Sequence, residues 1–180
     1  MKNNRNGFTL IELLACVIIL GILLLIAVPS IGKYINSSKN GVYIEDMMVY
    51  LDTAKRGVYD GDYPSPINTN DAVIISFTAI INDIDQGGDE SPYGGSYVKD
   101  NNNLNYCYVV VVNVGTKSIP RYEYYISAID SKGYGLAYPN DLTKTIILAD
   151  DLSNNKVVRL DKGISIDGTF NDFNVISRIK

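Results

Sequence analysis

The feature that most constrains this chain is an apolar segment close to its amino terminus. Residues 8–31 carry a single charge, Glu12, and follow a short basic leader that contains Lys2 and Arg5. As an α-helix, these 24 residues would be about 36 Å long, which exceeds the roughly 30 Å hydrocarbon core of a bilayer. The segment therefore predicts a membrane-spanning helix, and a carboxylate within such a helix is costly enough to indicate a function.

Two ordinary explanations of this segment fit poorly. A secretory signal has an apolar stretch of about 7–15 residues followed by a small-residue cleavage site. This stretch is longer, and Val28-Pro29-Ser30 is a poor cleavage site. A plain membrane anchor fits the length but explains neither Glu12 nor the glycine at position 7. Basic residues on both flanks also give little signal for orientation.

The sequence GFTLIE at residues 7–12 resembles the cleavage and methylation motif of type IV prepilins. The resemblance implies that a membrane peptidase cuts after Gly7 and methylates the new amino terminus at Phe8. It also implies that Glu12 pairs with the terminal amine of a neighbouring subunit during filament assembly, where two desolvated opposite charges stabilise each other. An intrachain pair between positions four residues apart is the alternative.

On this resemblance, the chain is expected to be a structural subunit of a type IV pilus. It would be made as a prepilin in the cell membrane and polymerise through its apolar helix into an extracellular filament for adhesion, aggregation in biofilms or twitching motility. The expected partners are copies of itself, other pilins, the prepilin peptidase, the pilus assembly platform and, before assembly, the membrane. A pseudopilin of a type II-like secretion or competence system and a membrane-anchored surface binding protein are the alternatives.

The composition argues against histidine-based catalysis and against nucleic-acid binding. The chain contains no histidine, which is the commonest general base and a frequent metal ligand. Its net charge is −4 and it has no cluster of lysine and arginine, so nucleic acid is not an expected partner. No catalytic residue and no cofactor are predicted. The tyrosine, asparagine and isoleucine content, with no tryptophan, favours a Gram-positive source.

The two cysteines are not expected to form a disulfide. Cys16 lies in the apolar helix and Cys107 in a strand-like run, whereas a disulfide needs Cα atoms within about 7 Å of each other. Both are predicted to be buried small apolar side chains.

The remaining pattern predicts an α+β architecture, in which one long helix over residues 8–60 packs on an antiparallel sheet. A kink or break is expected at Pro29, because proline lacks the N–H that would bond the Leu25 carbonyl. Since Gly21 is a weak helix former, and related filaments melt between a matching glycine and proline, residues 21–29 are expected to unwind in the filament. Apolar residues at three- and four-residue steps mark the face that docks on the sheet: Ile44, Met47, Met48, Leu51, Ala54 and Val58.

After a leader at residues 1–7 and the helix at 8–60, residues 61–180 are expected to form a β-rich head. Within it, residues 61–104 are predicted to be a connecting loop, in which 71–85 fit either a short helix or a strand. Four strand-like runs bounded by Gly, Pro, Asn or Asp then predict antiparallel strands at residues 105–114, 121–130, 144–150 and 156–166.

An acidic stretch in this loop holds the remaining candidate chemistry. Asp83, Asp85, Asp89 and Glu90 supply oxygen ligands of the kind that Ca²⁺ prefers, but their spacing is not that of an EF-hand. A solvated acidic turn is therefore the favoured interpretation, and no metal is predicted. Residues 87–90, GGDE, match most of the diguanylate cyclase signature, but Ser91 stands where that signature has an aromatic residue.

Overall fold

The computed structural model of the chain describes residues 8–84, 88–98, 106–161 and 163–180. Contacts divide the chain into two compact units, Met1–Ser38 and Lys39–Lys180. The described part of the first unit is the amino-terminal portion of helix α1 (Leu10–Asp60), and the second unit holds the rest of α1 and all the described strands. The predicted leader at residues 1–7 and Asp85 lie outside the described residues.

Helix α1 is 51 residues long and is continuous through Pro29, so the break considered at this proline does not occur. Proline removes one backbone hydrogen bond, and the Ser30 hydroxyl donates to the Ile26 carbonyl oxygen at 3.3 Å in the same turn. The helix ends at Asp60, next to Gly61, whose φ of +88° suits a glycine at a helix carboxyl terminus. The end of the helix therefore agrees with the predicted helix over residues 8–60.

The carboxyl-terminal part of α1 buries one face in the core of the second unit. Its buried residues are Tyr43, Ile44, Met47, Tyr50, Leu51, Thr53, Ala54, Gly57 and Val58. The predicted apolar stripe is confirmed except at Met48, which is 47% exposed. The stripe also missed two tyrosines, which can be buried because their hydroxyl groups find acceptors. Tyr43 donates to the Tyr134 carbonyl oxygen at 3.1 Å, and Tyr50 donates to the carbonyl of Gly88.

The second unit contains a five-stranded sheet and a separate two-stranded sheet. The strands in chain order are β1 (Asp71–Ser76), β2 (Tyr108–Asn113), β3 (Tyr122–Ser127), β4 (Tyr134–Leu136), β5 (Ile147–Leu148), β6 (Val157–Arg159) and β7 (Asn174–Ile179). The larger sheet has the order β5-β3-β2-β1-β7, and β4 pairs with β6. All pairings are antiparallel except the parallel pairing of β7 with β1.

The four predicted strand-like runs correspond to β2, β3, β5 and β6. The predicted antiparallel sheet is confirmed for every pairing except that of β7, which was not predicted and pairs in parallel with β1. Strand β1 lies within the predicted connecting loop, and a short helix α2 (Phe77–Ile80) follows it directly. Periodicity alone did not decide between a strand and a short helix for residues 71–85, and the structure contains both, β1 and then α2.

Strands β1 and β2 are buried on both faces of the sheet. On one face, residues including Val73 and Val109 pack in the same cluster as the buried face of α1. On the other, residues including Ile74 and Val110 pack against Ile166 and the segment that precedes β7. A strand covered on both faces is uniformly apolar rather than alternating, which explains why β1 carries no period-two signal.

The segment 88–98 is fastened to α1 and to the turn after β3. Tyr97 donates its hydroxyl to an Asp46 carboxylate oxygen at 3.1 Å. The Ser91 hydroxyl donates to Asp130, which is 1% exposed and also accepts the backbone N–H groups of Lys132 and Tyr134 at 2.9 Å each. These hydrogen bonds hold the segment against the core without a covalent link.

The parallel pairing of β7 is anchored by the buried carboxylate of Asp71. It accepts the backbone N–H of Asn68 at 3.0 Å, the side-chain amide of Asn68 at 2.8 Å and that of Asn174 at 2.6 Å. These bonds favour the ionised form, and the backbone N–H of Asn68 contributes most to holding the pKa of Asp71 below its usual value.

Replacing Asp71 with alanine should destabilise the second unit at neutral pH, with the difference from the parent shrinking in acid. Because the folded-state pKa is lowered, the stabilisation is complete above the unfolded-state pKa of about 3.9 and is lost as pH falls through the folded-state pKa. Urea unfolding of the detergent-solubilised chain at a series of pH values measures this. The exposed Asp161→Ala is the control, and a difference that stays constant from pH 7 to pH 2 would contradict the assignment.

Candidate assembly site

The described part of the first unit exposes apolar side chains all round the helix. Every residue from 8 to 38 is exposed, and the large apolar side chains among them range from 47% exposed at Ile35 to 85% at Leu10. Among the described residues, α1 is the single helix long and apolar enough to cross a membrane. A helix that is apolar on all sides requires lipid or other helices around it.

The first turn of α1 is organised by a reciprocal pair of side chains. The backbone N–H and the hydroxyl of Thr9 both donate to Glu12 Oε2, each at 2.8 Å, and the Glu12 N–H donates to Thr9 Oγ1 at 3.3 Å. This arrangement is a capping box, which satisfies N–H groups that a helix start otherwise leaves without partners. The pattern T-x-x-E at residues 9–12 is the sequence signal for this capping box.

The capping box gives Glu12 a second role besides the one implied by the prepilin resemblance. Within one chain, the Glu12 carboxylate accepts hydrogen bonds from Thr9, three residues earlier. The neighbouring Phe8 is 72% exposed. The bonds from Thr9 fix the position of the carboxylate one turn from residue 8. Gly7 lies outside the described residues, so the proposed cleavage point is defined by sequence alone.

Gly21 and Pro29 lie in the continuous part of α1 and face the same apolar depression. This depression is also lined by Leu24, Leu25 and Val28. A Cβ atom at Gly21 would meet nothing within 4 Å, so the glycine leaves space there that the chain itself does not fill. The unwinding of residues 21–29 in a filament stays a prediction.

The acidic residues of the predicted calcium-like stretch are not arranged as a metal site where they are described. Asp83 accepts the Tyr63 hydroxyl at 2.9 Å, and Glu90 forms a β-bridge with Ser96. Burial and the bond to Asp83 raise the pKa of Tyr63, so that its hydroxyl stays protonated and donates. Outside the segments 1–7, 85–87 and 99–105 and residue 162, no group of three His, Cys, Asp or Glu side chains is placed to hold a metal ion.

The two cysteines are free thiols in unlike surroundings. Cys107 is buried as predicted, and its sulfur donates to the Ile129 carbonyl at 3.2 Å and accepts the Ile129 N–H at 3.3 Å. Burial raises the pKa of Cys107 to about 12, which keeps the thiol protonated. The prediction of burial is wrong for Cys16, which is exposed on α1.

Thr9→Val is expected to loosen the first turn of α1. The substitution removes the N-cap hydroxyl, and losing a cap costs about 1 kcal/mol. Amide hydrogen exchange at residues 11–13 of the micelle-bound chain should therefore accelerate several-fold, while Thr9→Ser, which keeps the hydroxyl, should exchange like the parent. Equal exchange in the valine variant and the parent would show that the capping box does not stabilise the turn.

Residues 2–28 match a family model described as the prokaryotic N-terminal methylation motif. No curated protein and no solved structure is detectably similar to the chain. The matched stretch includes Gly7, Phe8, Glu12 and Gly21 and ends one residue before Pro29. The amino-terminal segment thus carries the methylation signature of type IV prepilins, and it begins a chain whose α+β architecture is pilin-like.

Proposed function

We propose that this chain is a structural subunit of a type IV pilus. The observation that carries the proposal is that a prokaryotic N-terminal methylation motif overlaps an apolar segment at residues 8–31, every residue of which is exposed. Such a surface is covered by lipid in the precursor, and other copies of the same helix cover it in a filament. The function is assembly, and catalysis has no part in it.

Assembly begins with cleavage between Gly7 and Phe8, which leaves the whole apolar helix on the mature chain. The new amine at Phe8 is methylated and keeps a positive charge. In the filament, Glu12 of one copy pairs with this amine of another, because either charge would be costly if left alone in an apolar core. Thr9 supports the pairing by holding the Glu12 carboxylate in the first turn, where it accepts two hydrogen bonds.

The second unit forms the outward-facing part of the filament and sets its adhesive or aggregative behaviour. The precursor resides in the cell membrane and the mature subunit in an extracellular filament, with the prepilin peptidase and the assembly platform as partners in between. Pseudopilins share the same processing, so the location of the assembled product distinguishes the two roles. Filaments sheared from the cell surface support a pilus, and their absence beside processed subunits supports a pseudopilin.

The mature chain should begin with N-methylated Phe8. Mass spectrometry of the amino-terminal peptide from sheared surface filaments measures this directly. Gly7→Leu should leave the full-length precursor in the membrane, because the peptidase must bring the backbone close to its own carboxylates, whereas Gly7→Ala should retain partial processing. A mature chain that began at Ile31 would contradict the prepilin assignment.

Glu12→Ala should be processed normally but should reduce the yield of filaments at least tenfold. The peptidase site is unchanged, whereas the partner of the Phe8 amine is lost from the filament core. Quantification of processed subunits in the membrane and in the sheared fraction separates the two steps. The matched control is Glu45→Ala, which removes an exposed carboxylate from a later turn of α1, and filament yields equal to the parent in both variants would refute the pairing.

A further inference from the structure

The connection between β2 and β3 forms an exposed tip on the second unit. We define the β2–β3 tip as Val114, Lys117, Ile119 and Arg121 of this connection, together with Ile67 of the neighbouring loop. The three apolar side chains are 37%, 72% and 55% exposed at Val114, Ile119 and Ile67, and all residues from 116 to 121 are exposed. These apolar side chains lie on two loops that Asn113 joins by hydrogen bonds, and exposed apolar patches often mark an interaction site.

The β2–β3 tip is held rigid from below by Asn113, the last residue of β2. Asn113 is fully buried, and its amide nitrogen donates to the Ile67 carbonyl at 2.8 Å. Its Oδ1 atom accepts the backbone N–H groups of Gly115 at 2.8 Å and Arg121 at 3.2 Å. One buried side chain thus joins the two loops and places Ile67 beside the hairpin connection.

Glycine at position 115 makes the tight fold of the connection possible. A Cβ atom there would lie 2.3 Å from the Ile119 carbonyl oxygen and 2.6 Å from the Arg121 nitrogen. Thr69 adds a hydrogen bond from its hydroxyl to the Gly115 carbonyl at 2.7 Å. Because these contacts already order the loop, binding a partner costs little further conformational entropy.

The β2–β3 tip carries positive charge on a chain whose net charge is −4. Within the described part of the chain, neither Lys117 nor Arg121 forms an ion pair. The two loops that form the tip, residues 64–70 and 114–121, contain no aspartate or glutamate. The tip therefore attracts an anionic partner, while the acidic remainder of the chain is repelled by one.

We propose that the β2–β3 tip binds an anionic lipid surface. Lys117 and Arg121 contact the negatively charged headgroups, and Ile119 and Ile67 enter the boundary between headgroups and acyl chains. The exposed isoleucines favour lipid over a soluble polyanion, because a polyanion offers no apolar phase to receive them. A single tip with two cations binds weakly, but many copies in one filament or membrane add their contacts through multivalency. This inference goes beyond the proposed pilus function.

The test uses the full chain in neutral phosphatidylcholine proteoliposomes, with many copies on each vesicle. Fluorescent acceptor vesicles are either pure phosphatidylcholine or contain one-third phosphatidylserine, and captured fluorescence is measured after the proteoliposomes are sedimented. Anionic acceptors should be captured at least fivefold more than neutral ones, and the excess should fall as salt is raised. The double variant Lys117→Glu/Arg121→Glu should remove the excess, and Ile119→Ser should lower it at least threefold.

The matched control is Lys132→Glu/Lys144→Glu, which makes the same change in net charge at exposed positions away from the tip. It should capture anionic vesicles like the parent, and thermal unfolding should show that all variants are folded. Equal capture of neutral and anionic vesicles, or equal loss in tip and control variants, would overturn the proposal. Capture that survives Ile119→Ser unchanged would indicate a purely electrostatic polyanion site and would also overturn the lipid assignment. The assay needs neither cleavage nor polymerisation, so its failure would leave the pilus proposal standing.

Discussion

The rest of this structure depends on one exposed apolar surface near the amino terminus. Residues 8–31 carry a single charge, Glu12, and all of them are exposed, so in water this surface would drive aggregation rather than folding. Lipid and neighbouring helices are the two environments that remove the cost. The single carboxylate in this segment is stable there only with hydrogen bonds or an opposite charge, and the Thr9 capping box supplies the former within one chain.

The second unit packs a sequence rich in acidic residues and tyrosine around the carboxyl-terminal part of α1. Its largest buried side chains include Tyr43, Tyr50 and Tyr97, and each donates its hydroxyl to a carbonyl or carboxylate oxygen. Tyr50 stacks on Phe77 with ring centroids 3.7 Å apart, and Tyr97 packs edge-on against both rings. A core of this kind gains apolar contact area while keeping its polar atoms bonded, and it holds the segment 88–98 in place without a disulfide.

Local patterns were sufficient to predict α1, most of its buried face and the strands β2 and β3, because each of these has a clear helical or strand-like signal. Local patterns did not predict elements whose structure depends on contacts with residues distant in sequence. Strand β1 is uniformly apolar because both faces of the sheet are covered, and β7 is held in parallel register by the bond between Asp71 and Asn174. Met48 has the right chemistry for the core but lies at the edge of the buried face. The methylation motif was found from sequence alone. The T-x-x-E pattern at residues 9–12 also predicts a capping box, but the bonds from Thr9 to Glu12 were identified only from the structure.

The pairing of β7 with β1 also sets the order of events during synthesis. The two strands begin about a hundred residues apart, and β1 is a central strand of the sheet with β2 on its other side. Strands β1 and β2 are synthesised long before residue 179. The sheet therefore closes only after translation has passed β7. During that interval the β1 edge is open, and the time before β7 is made is the period of greatest risk of mispairing between neighbouring chains.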